Sequence, residues 1–145
     1  MIRRIVLDTS IYISALFYGG KPKQVLDLAS AGELQLLISL PLKLELERVL
    51  RDKFNFPPSE LAANADSLWG SAQWIAPRQR LSLCSDKSDN RVLECALEGH
   101  ADFIVTGDRH LHDLASLPDF TILKPDAFLA LFESQGFTID PGEDS

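Results

Sequence analysis

Cysteine, methionine and long hydrophobic runs are all scarce in this chain, and basic residues are outnumbered by acidic ones. Two cysteines, Cys84 and Cys95, are too few for a disulfide scaffold or a Cys-type zinc site, and they favour a reducing, cytoplasmic setting. No apolar run reaches the roughly 18 residues that a membrane span needs. The apolar stretch at the N-terminus is interrupted at Asp8, which argues against a secretory signal.

The charge balance restricts how the chain can meet other molecules. A net charge of −7, from 14 Lys and Arg against 21 Asp and Glu, disfavours a surface that binds nucleic acid through many phosphate contacts. It leaves open an enzyme that meets nucleic acid through a few local cations and bound metal. With 145 residues, 46% of them hydrophobic, the chain is long enough for one domain with a substantial core.

Strands and helices alternate along the chain. Strands are predicted at residues 3–7 and 34–39, in "ADFIVTGD" and in "FTILKP", with "QWIAP" as a short edge strand. Helices are predicted at residues 9–17, 22–31, 41–54, 58–69, 89–99 and 126–135, with Gly99 as a C-terminal cap. This alternation predicts a single domain over residues 1–135, a three-layer α/β/α sandwich around a mostly parallel sheet. The acidic segment 136–145 lacks periodicity and is predicted to be a loose tail.

Two aspartates follow predicted buried strands. Asp8 comes directly after "RRIVL", and Asp108 ends "FIVTGD". Sites in open parallel sheets form beyond the carboxyl ends of the strands, so these carboxylates would meet if the two strands are neighbours. For either residue alone, capping of the following helix is an equally good interpretation.

Helix geometry places two more acids. In "LPLKLELERVL" an apolar stripe repeats at helical spacing, and Glu45 lies at its border whereas Glu47 points towards solvent. A surface pair of Glu45 with Arg48 or Lys43 is the alternative. In "SDNRVLECAL", Asp89 lies in the first turn over the buried face; the alternative is compensation of the helix dipole. Glu94 is predicted to project away from that face.

Four segments carry a resemblance to a known family: "VLDTSIYISAL", "ISLPLKLELERVL", "SDKSDNRVLECALEGHADFIVTGDRHL" and "ILKPDAFL". In order and spacing they resemble the blocks of PIN-domain proteins, most closely the toxins of toxin–antitoxin systems, from residue 4 to about residue 132. Ser10 stands where many members have Asn. The resemblance implies catalytic, metal-binding roles for Asp8, Glu45, Asp89 and Asp108.

The chemistry of such a cluster follows from charge. Close carboxylates repel by roughly 4 kcal/mol per pair at an effective dielectric near 20, so cations or protons must compensate them. Oxygen ligands select hard ions, which indicates Mg²⁺ or Mn²⁺. The resemblance then implies metal-assisted hydrolysis of phosphodiester bonds in single-stranded RNA.

Further residues are assigned supporting roles on the same basis. Ser10, Thr106 and Asp86 would orient water or ligands, although a turn for Asp86 and a strand end for Thr106 explain these residues equally well. The cations nearest in sequence, namely Lys87, Arg91 and Arg109, would contact RNA phosphates or else serve surface solubility. An antitoxin protein and a homodimer are partners that the family implies.

Two other functions are compatible with parts of the pattern. A PIN fold could act as a binding module with weak or partner-suppressed activity. A phosphoacceptor receiver domain would also have an early strand-end aspartate, a hydroxyl residue such as Thr106 and a Lys-Pro pair such as Lys124-Pro125. A receiver, however, needs an acidic pair after its first strand, and it assigns no role to Glu45 or Asp89.

Overall fold

A five-stranded parallel sheet forms the centre of the protein in the computed structural model, which describes residues 2–84, 86–112 and 119–135. The strands are β1 (Arg3–Leu7), β2 (Leu34–Ser39), β3 (Gln73–Ile75), β4 (Phe103–Val105) and β5 (Thr121–Leu123). They lie in the order β3-β2-β1-β4-β5, and all four pairings are parallel. The predicted edge strand is confirmed as β3. The predicted tail, residues 136–145, lies outside the described residues.

Helices cover both faces of this sheet. In chain order they are α1 (Thr9–Phe17), α2 (Gly20–Ser30), α3 (Leu40–Phe54), α4 (Pro58–Ala63), α5 (Ala65–Trp69), α6 (Lys87–Glu98), α7 (Arg109–His112) and α8 (Pro125–Gln135). The chain moves outwards from β1 to β3 and then crosses back to β4, so right-handed connections place α6 on the face opposite to α1 and α2. Accordingly α6 contacts β1, β2 and β4. The predicted three-layer α/β/α sandwich is confirmed.

The strand order separates this fold from that of a receiver domain. Doubly wound receiver-like sheets have the order 2-1-3-4-5, whereas this sheet has 3-2-1-4-5. The direction of winding reverses between β1 and β4, which pair from Ile5 with Phe103 to Leu7 with Val105. A crevice therefore opens beyond the carboxyl ends of these two strands. In the described ranges, no helix is long and apolar enough to span a membrane.

One predicted helix is divided in two. The segment predicted as a helix over 58–69 forms α4 and α5, separated at Asn64. The Asn64 side-chain amide donates to the Glu60 carbonyl at 2.8 Å, while its backbone N–H donates to the Leu61 carbonyl at 3.0 Å. The side chain thus takes the acceptor that a continuing helix would use, and the helix ends.

Gly99 is the C-cap of α6, as predicted, but not for the reason that usually favours glycine. Its φ of −86° is open to any residue, and the left-handed conformation falls on His100, with φ 54°. A methyl group on Gly99 would instead lie 2.8 Å from Leu37 Cδ1 and 3.0 Å from the Cys95 carbonyl oxygen. Close packing of α6 on the sheet therefore favours glycine here, because a larger residue would displace the end of the Leu37 side chain.

Candidate active site

Asp8 lies at the carboxyl end of β1 and is only 5% exposed. It occupies the N-cap position of α1, but its side chain makes no capping hydrogen bond. Its carboxylate instead accepts hydrogen bonds from the hydroxyls of Thr9 at 3.3 Å, Ser10 at 3.0 Å and Thr106 at 2.6 Å. The capping interpretation of Asp8 is thus not supported, and a set of hydroxyls orients the carboxylate.

Thr106 joins the ends of the two central strands. It is fully buried; its hydroxyl donates to Asp8 and accepts from the backbone N–H of Asp108 at 2.9 Å. The Asp8 N–H donates to the Val105 carbonyl at 3.1 Å, which continues the β1–β4 pairing past Leu7. The two strands are therefore neighbours, which is the condition under which Asp8 and Asp108 are expected to meet.

Asp89 is introduced from the opposite face by α6. Asp86 is the N-cap of this helix and accepts from the Ser88 N–H at 2.9 Å and the Ser88 hydroxyl at 2.7 Å. Asp89, three residues later, is only 2% exposed. The turn role of Asp86 is present, and its cap fixes the first helical turn that carries Asp89.

The charge of Asp89 is disfavoured in this position. Burial, a hydrogen bond with Asp108 and the charges of Asp108, Asp86 and Asp8 raise the pKa of Asp89 to about 7. A carboxylate present only to compensate the helix dipole would be favoured in its charged form. Among the described residues, Asp89 Oδ2 is also buried without a hydrogen-bond partner. Asp89 is therefore part of an acid cluster that lacks compensating positive charge around this oxygen.

The third helix supplies the fourth acid. Ser39 caps α3 by accepting from the Leu42 N–H at 3.3 Å, with Pro in the first turn. Glu45 is bound by both forks of Arg48, from Nε to Oε1 at 3.1 Å and from Nη2 to Oε2 at 2.7 Å. Glu47 pairs with Lys43 at 3.3 Å.

Glu45 and Glu47 do not differ in exposure, although the helical spacing predicts that Glu47 points towards solvent. The side chains of Glu45 and Glu47 are 20% and 21% exposed, because each is partly covered by its cation. They differ in location instead. Only Glu45 lines the pocket that contains the aspartates.

That pocket is open, has a volume of about 610 Å³ and is called the acid pocket below. Among the described residues, five carboxylates line it, together with hydroxyls of α1 and two cations of α3: Asp8, Glu45, Asp86, Asp89, Asp108, Thr9, Ser10, Ser14, Arg48 and Lys53. Thr106 lies behind it, against Asp8. The structure thus brings together all four acids named from the sequence. The sequence reasoning overlooked Lys53, although it follows Glu45 at i+8 on the same helix.

The three residues predicted to contact phosphate differ in exposure and in bonding. Lys87 is exposed and lines a neighbouring pocket. Arg91 is only 11% exposed and donates to Glu94 at 2.8 Å and to the Leu81 carbonyl at 3.2 Å. Both bonds come from Nη2, so part of its guanidinium is already engaged within the protein, and its phosphate contact stays a prediction. The side chain of Arg109 lies outside the described part of the structure.

Glu94 is buried, although the helical spacing predicts that it projects away from the buried face of α6. It is 3% exposed and accepts from the Leu81 N–H at 2.6 Å as well as from Arg91. The helical spacing gave no sign of this, because the segment before α6 folds over that side of the helix. Glu94 and Arg91 therefore form a buried pair that holds this segment in place.

The oxygen ligands of the acid pocket are of the kind that a hard divalent cation prefers. Within the described part of the chain they are not arranged in advance as a ligand set. In residues 2–84, 86–112 and 119–135, no group of three or more His, Cys, Asp or Glu side chains is arranged to hold a metal ion. The carboxylates of the acid pocket offer oxygen atoms only, as Mg²⁺ and Mn²⁺ prefer. The unpartnered Asp89 Oδ2 and the raised pKa of Asp89 are the features that a bound cation would relieve.

Comparison with known protein families agrees with the fold. The family model described as "PIN domain" matches residues 4–110, a span that contains β1 from its second residue, β2 to β4 and all four acids. No curated protein matches the chain.

Proposed function

Because the chain belongs to the PIN-domain family, whose members are generally nucleases that use divalent metal ions, we propose that it is an endoribonuclease. In this proposal it hydrolyses phosphodiester bonds of single-stranded RNA with Mg²⁺ or Mn²⁺. The observation that carries the proposal is the acid pocket, in which Asp8, Glu45, Asp89 and Asp108 converge where the sheet changes its winding direction. Ligand sites of open parallel sheets lie at such points.

The four acids would hold the metal, and a bound divalent ion supplies activation of water and neutralisation of the leaving oxygen. The chain's own contribution is positioning. Thr9, Ser10 and Thr106 hold the Asp8 carboxylate in one orientation through three hydroxyl donors. These contacts preserve the carboxylate geometry during the reaction, as hydroxyls and amides around ligating groups do in other sites.

Asp89, which is hydrogen-bonded to Asp108, is the group whose protonation changes near neutral pH. With its pKa raised to about 7, Asp89 retains its proton at slightly acidic pH. That proton must leave before both carboxylates can face a cation. Nuclease activity is therefore expected to rise between about pH 6 and pH 8.

The biological setting is proposed from the resemblance to toxins of toxin–antitoxin systems. We propose a cytoplasmic toxin whose partners are RNA, a cognate antitoxin protein and a second copy of the chain. Free Cys84 and buried, free Cys95 fit a reducing compartment. A binding module with weak or partner-suppressed activity is the alternative.

Incubation of purified protein with end-labelled single-stranded RNA tests the proposal, with Mn²⁺, with Mg²⁺ and with EDTA. Cleavage should require metal. Asp108→Asn should slow it a few hundredfold, equivalent to about 3–4 kcal/mol in the barrier. Asp27→Asn removes an exposed acid of α2 and is the matched control. Lys124→Ala, which would disable a receiver, should leave cleavage unchanged.

Two results would contradict the proposal. Metal-independent cleavage, or equal rates for Asp108→Asn and wild type, would indicate a contaminating nuclease or a different site. Tight RNA binding without cleavage under any metal condition would favour the binding module.

A further inference from the structure

Arg48 connects the acid pocket to a second pocket of opposite charge. This second pocket has a volume of about 430 Å³ and is called the basic pocket here. Its lining includes four cations and one acid: Arg48, Arg80, Lys87, Arg91 and Glu45. Because Glu45, Arg48 and Ser88 line both pockets, the two are adjacent.

The basic pocket suits the phosphates of a polyanion. Arg80 and Lys87 are exposed, and the side chain of Arg48 is 51% exposed, so their charges face solvent at the edge of the acid pocket. In a chain of net charge −7 such a cluster is a local exception. A negatively charged strand that reached the acid pocket would be attracted from this side.

The bond between Arg48 and Glu45 occupies the acid that the metal would need. Both oxygens of Glu45 accept from the guanidinium, at 3.1 and 2.7 Å. Neither oxygen is therefore free of Arg48, so Glu45 is engaged by Arg48 in this structure rather than free to join a ligand set with the aspartates. An exposed ion pair of this kind is weak, and a phosphate is an equally good bidentate acceptor for arginine.

We propose that Arg48 is a positioning residue that holds Glu45 away from the metal until a substrate phosphate in the basic pocket binds Arg48 instead. Release of Glu45 then completes the oxygen ligands, so substrate and metal bind cooperatively. The inference rests on the proposed function and adds its regulation. By linkage, the oligonucleotide must raise the metal affinity by the same factor as the metal raises the oligonucleotide affinity.

Mn²⁺ titration by calorimetry tests the first half of the inference without measuring activity. Arg48→Ala should bind Mn²⁺ about fivefold more tightly than wild type, at the lower end of typical couplings. Lys53→Ala is the matched control, because it removes the same charge from the acid pocket without freeing Glu45. It should change the Mn²⁺ affinity less than twofold. Melting curves in EDTA establish that both variants are folded.

The same titration with a saturating single-stranded oligonucleotide tests the coupling. Phosphorothioate linkages keep the strand intact, which a gel verifies. The oligonucleotide should tighten Mn²⁺ binding to wild type by at least about fivefold and to Arg48→Ala by less than twofold.

Three outcomes would overturn the inference: equal tightening in Lys53→Ala and Arg48→Ala, unchanged or weaker binding in Arg48→Ala, or coupling that persists without Arg48. The first would mean that only net charge matters. If wild type binds no Mn²⁺ with or without oligonucleotide, the proposed metal-dependent nuclease function fails as well. In the other three outcomes wild type still binds Mn²⁺, so the two kinds of failure are distinguishable.

Discussion

Replacing Asp89 by Asn should stabilise the metal-free protein at alkaline pH. The pKa of Asp89 rises from its ordinary value of 3.8 to about 7, mainly because the residue is buried and secondly because it bonds to Asp108. A carboxyl with a raised pKa in the folded state stabilises the fold only while it is protonated. Stability therefore falls as the pH rises from about 4 to about 7.

The size of the effect follows from the same shift. A difference from 3.8 to about 7 corresponds to about 4 kcal/mol. Because the acid pocket is open to water, we expect about half of this, about 2 kcal/mol. Asn mimics the neutral acid, so the melting temperature of the variant at pH 8 should exceed that of wild type by about 5 °C. Most of the gain should disappear as the pH approaches 4.

Thermal melts in EDTA at several pH values provide the measurement, with Asp27→Asn as the exposed control. Millimolar Mn²⁺ at pH 8 should raise the melting temperature of wild type by mass action and that of the variant much less, since Asn is a poorer ligand. A variant no more stable than wild type at pH 8 in EDTA would refute the electrostatic reasoning. Equal shifts with Mn²⁺ would refute the assignment of Asp89 as a ligand.

Four further substitutions test three separate parts of the structure. Glu45→Gln should reduce RNA cleavage at least about tenfold while Glu47→Gln changes it less than twofold, because only Glu45 lines the acid pocket; equal rates would refute this. Thr106→Val should lower the free energy of unfolding by about 1–3 kcal/mol in chemical denaturation, because the buried bond to Asp8 and the part-buried bond from the Asp108 N–H are lost. An unchanged midpoint would contradict it. Gly99→Ala should lower the free energy of unfolding by about 1–3 kcal/mol, because the added methyl group overpacks against Leu37. A melting curve equal to that of wild type would contradict this and show that the Leu37 side chain moves aside.

Much of the fold was predictable because local patterns agree with one another. The apolar runs of β1, β2 and β4 and the stripe of α3 follow from periodicity, and each predicted strand is present. The errors fall where a side chain competes with the backbone or where another segment covers a helix. Asn64 ends α4 through a bond to Glu60, and the segment before α6 buries Glu94. Neither effect leaves a periodic signal.

For the candidate site, the sequence by itself determined the residue types and their places at strand ends and on helix faces. It could place Asp8 and Asp108 after strands, because a buried run that ends in a carboxylate is a local pattern. Only the tertiary structure decided that β1 and β4 are neighbours, and so that Thr106 bonds to Asp8 at 2.6 Å. It also decided that Asp89 lies buried against Asp108, which raises its pKa, and that Arg48 binds Glu45 between two pockets. Some of these contacts join residues that are far apart in the chain, and others involve one of several surface partners that the sequence leaves equivalent. Their energies depend on burial and distance, which no local pattern contains.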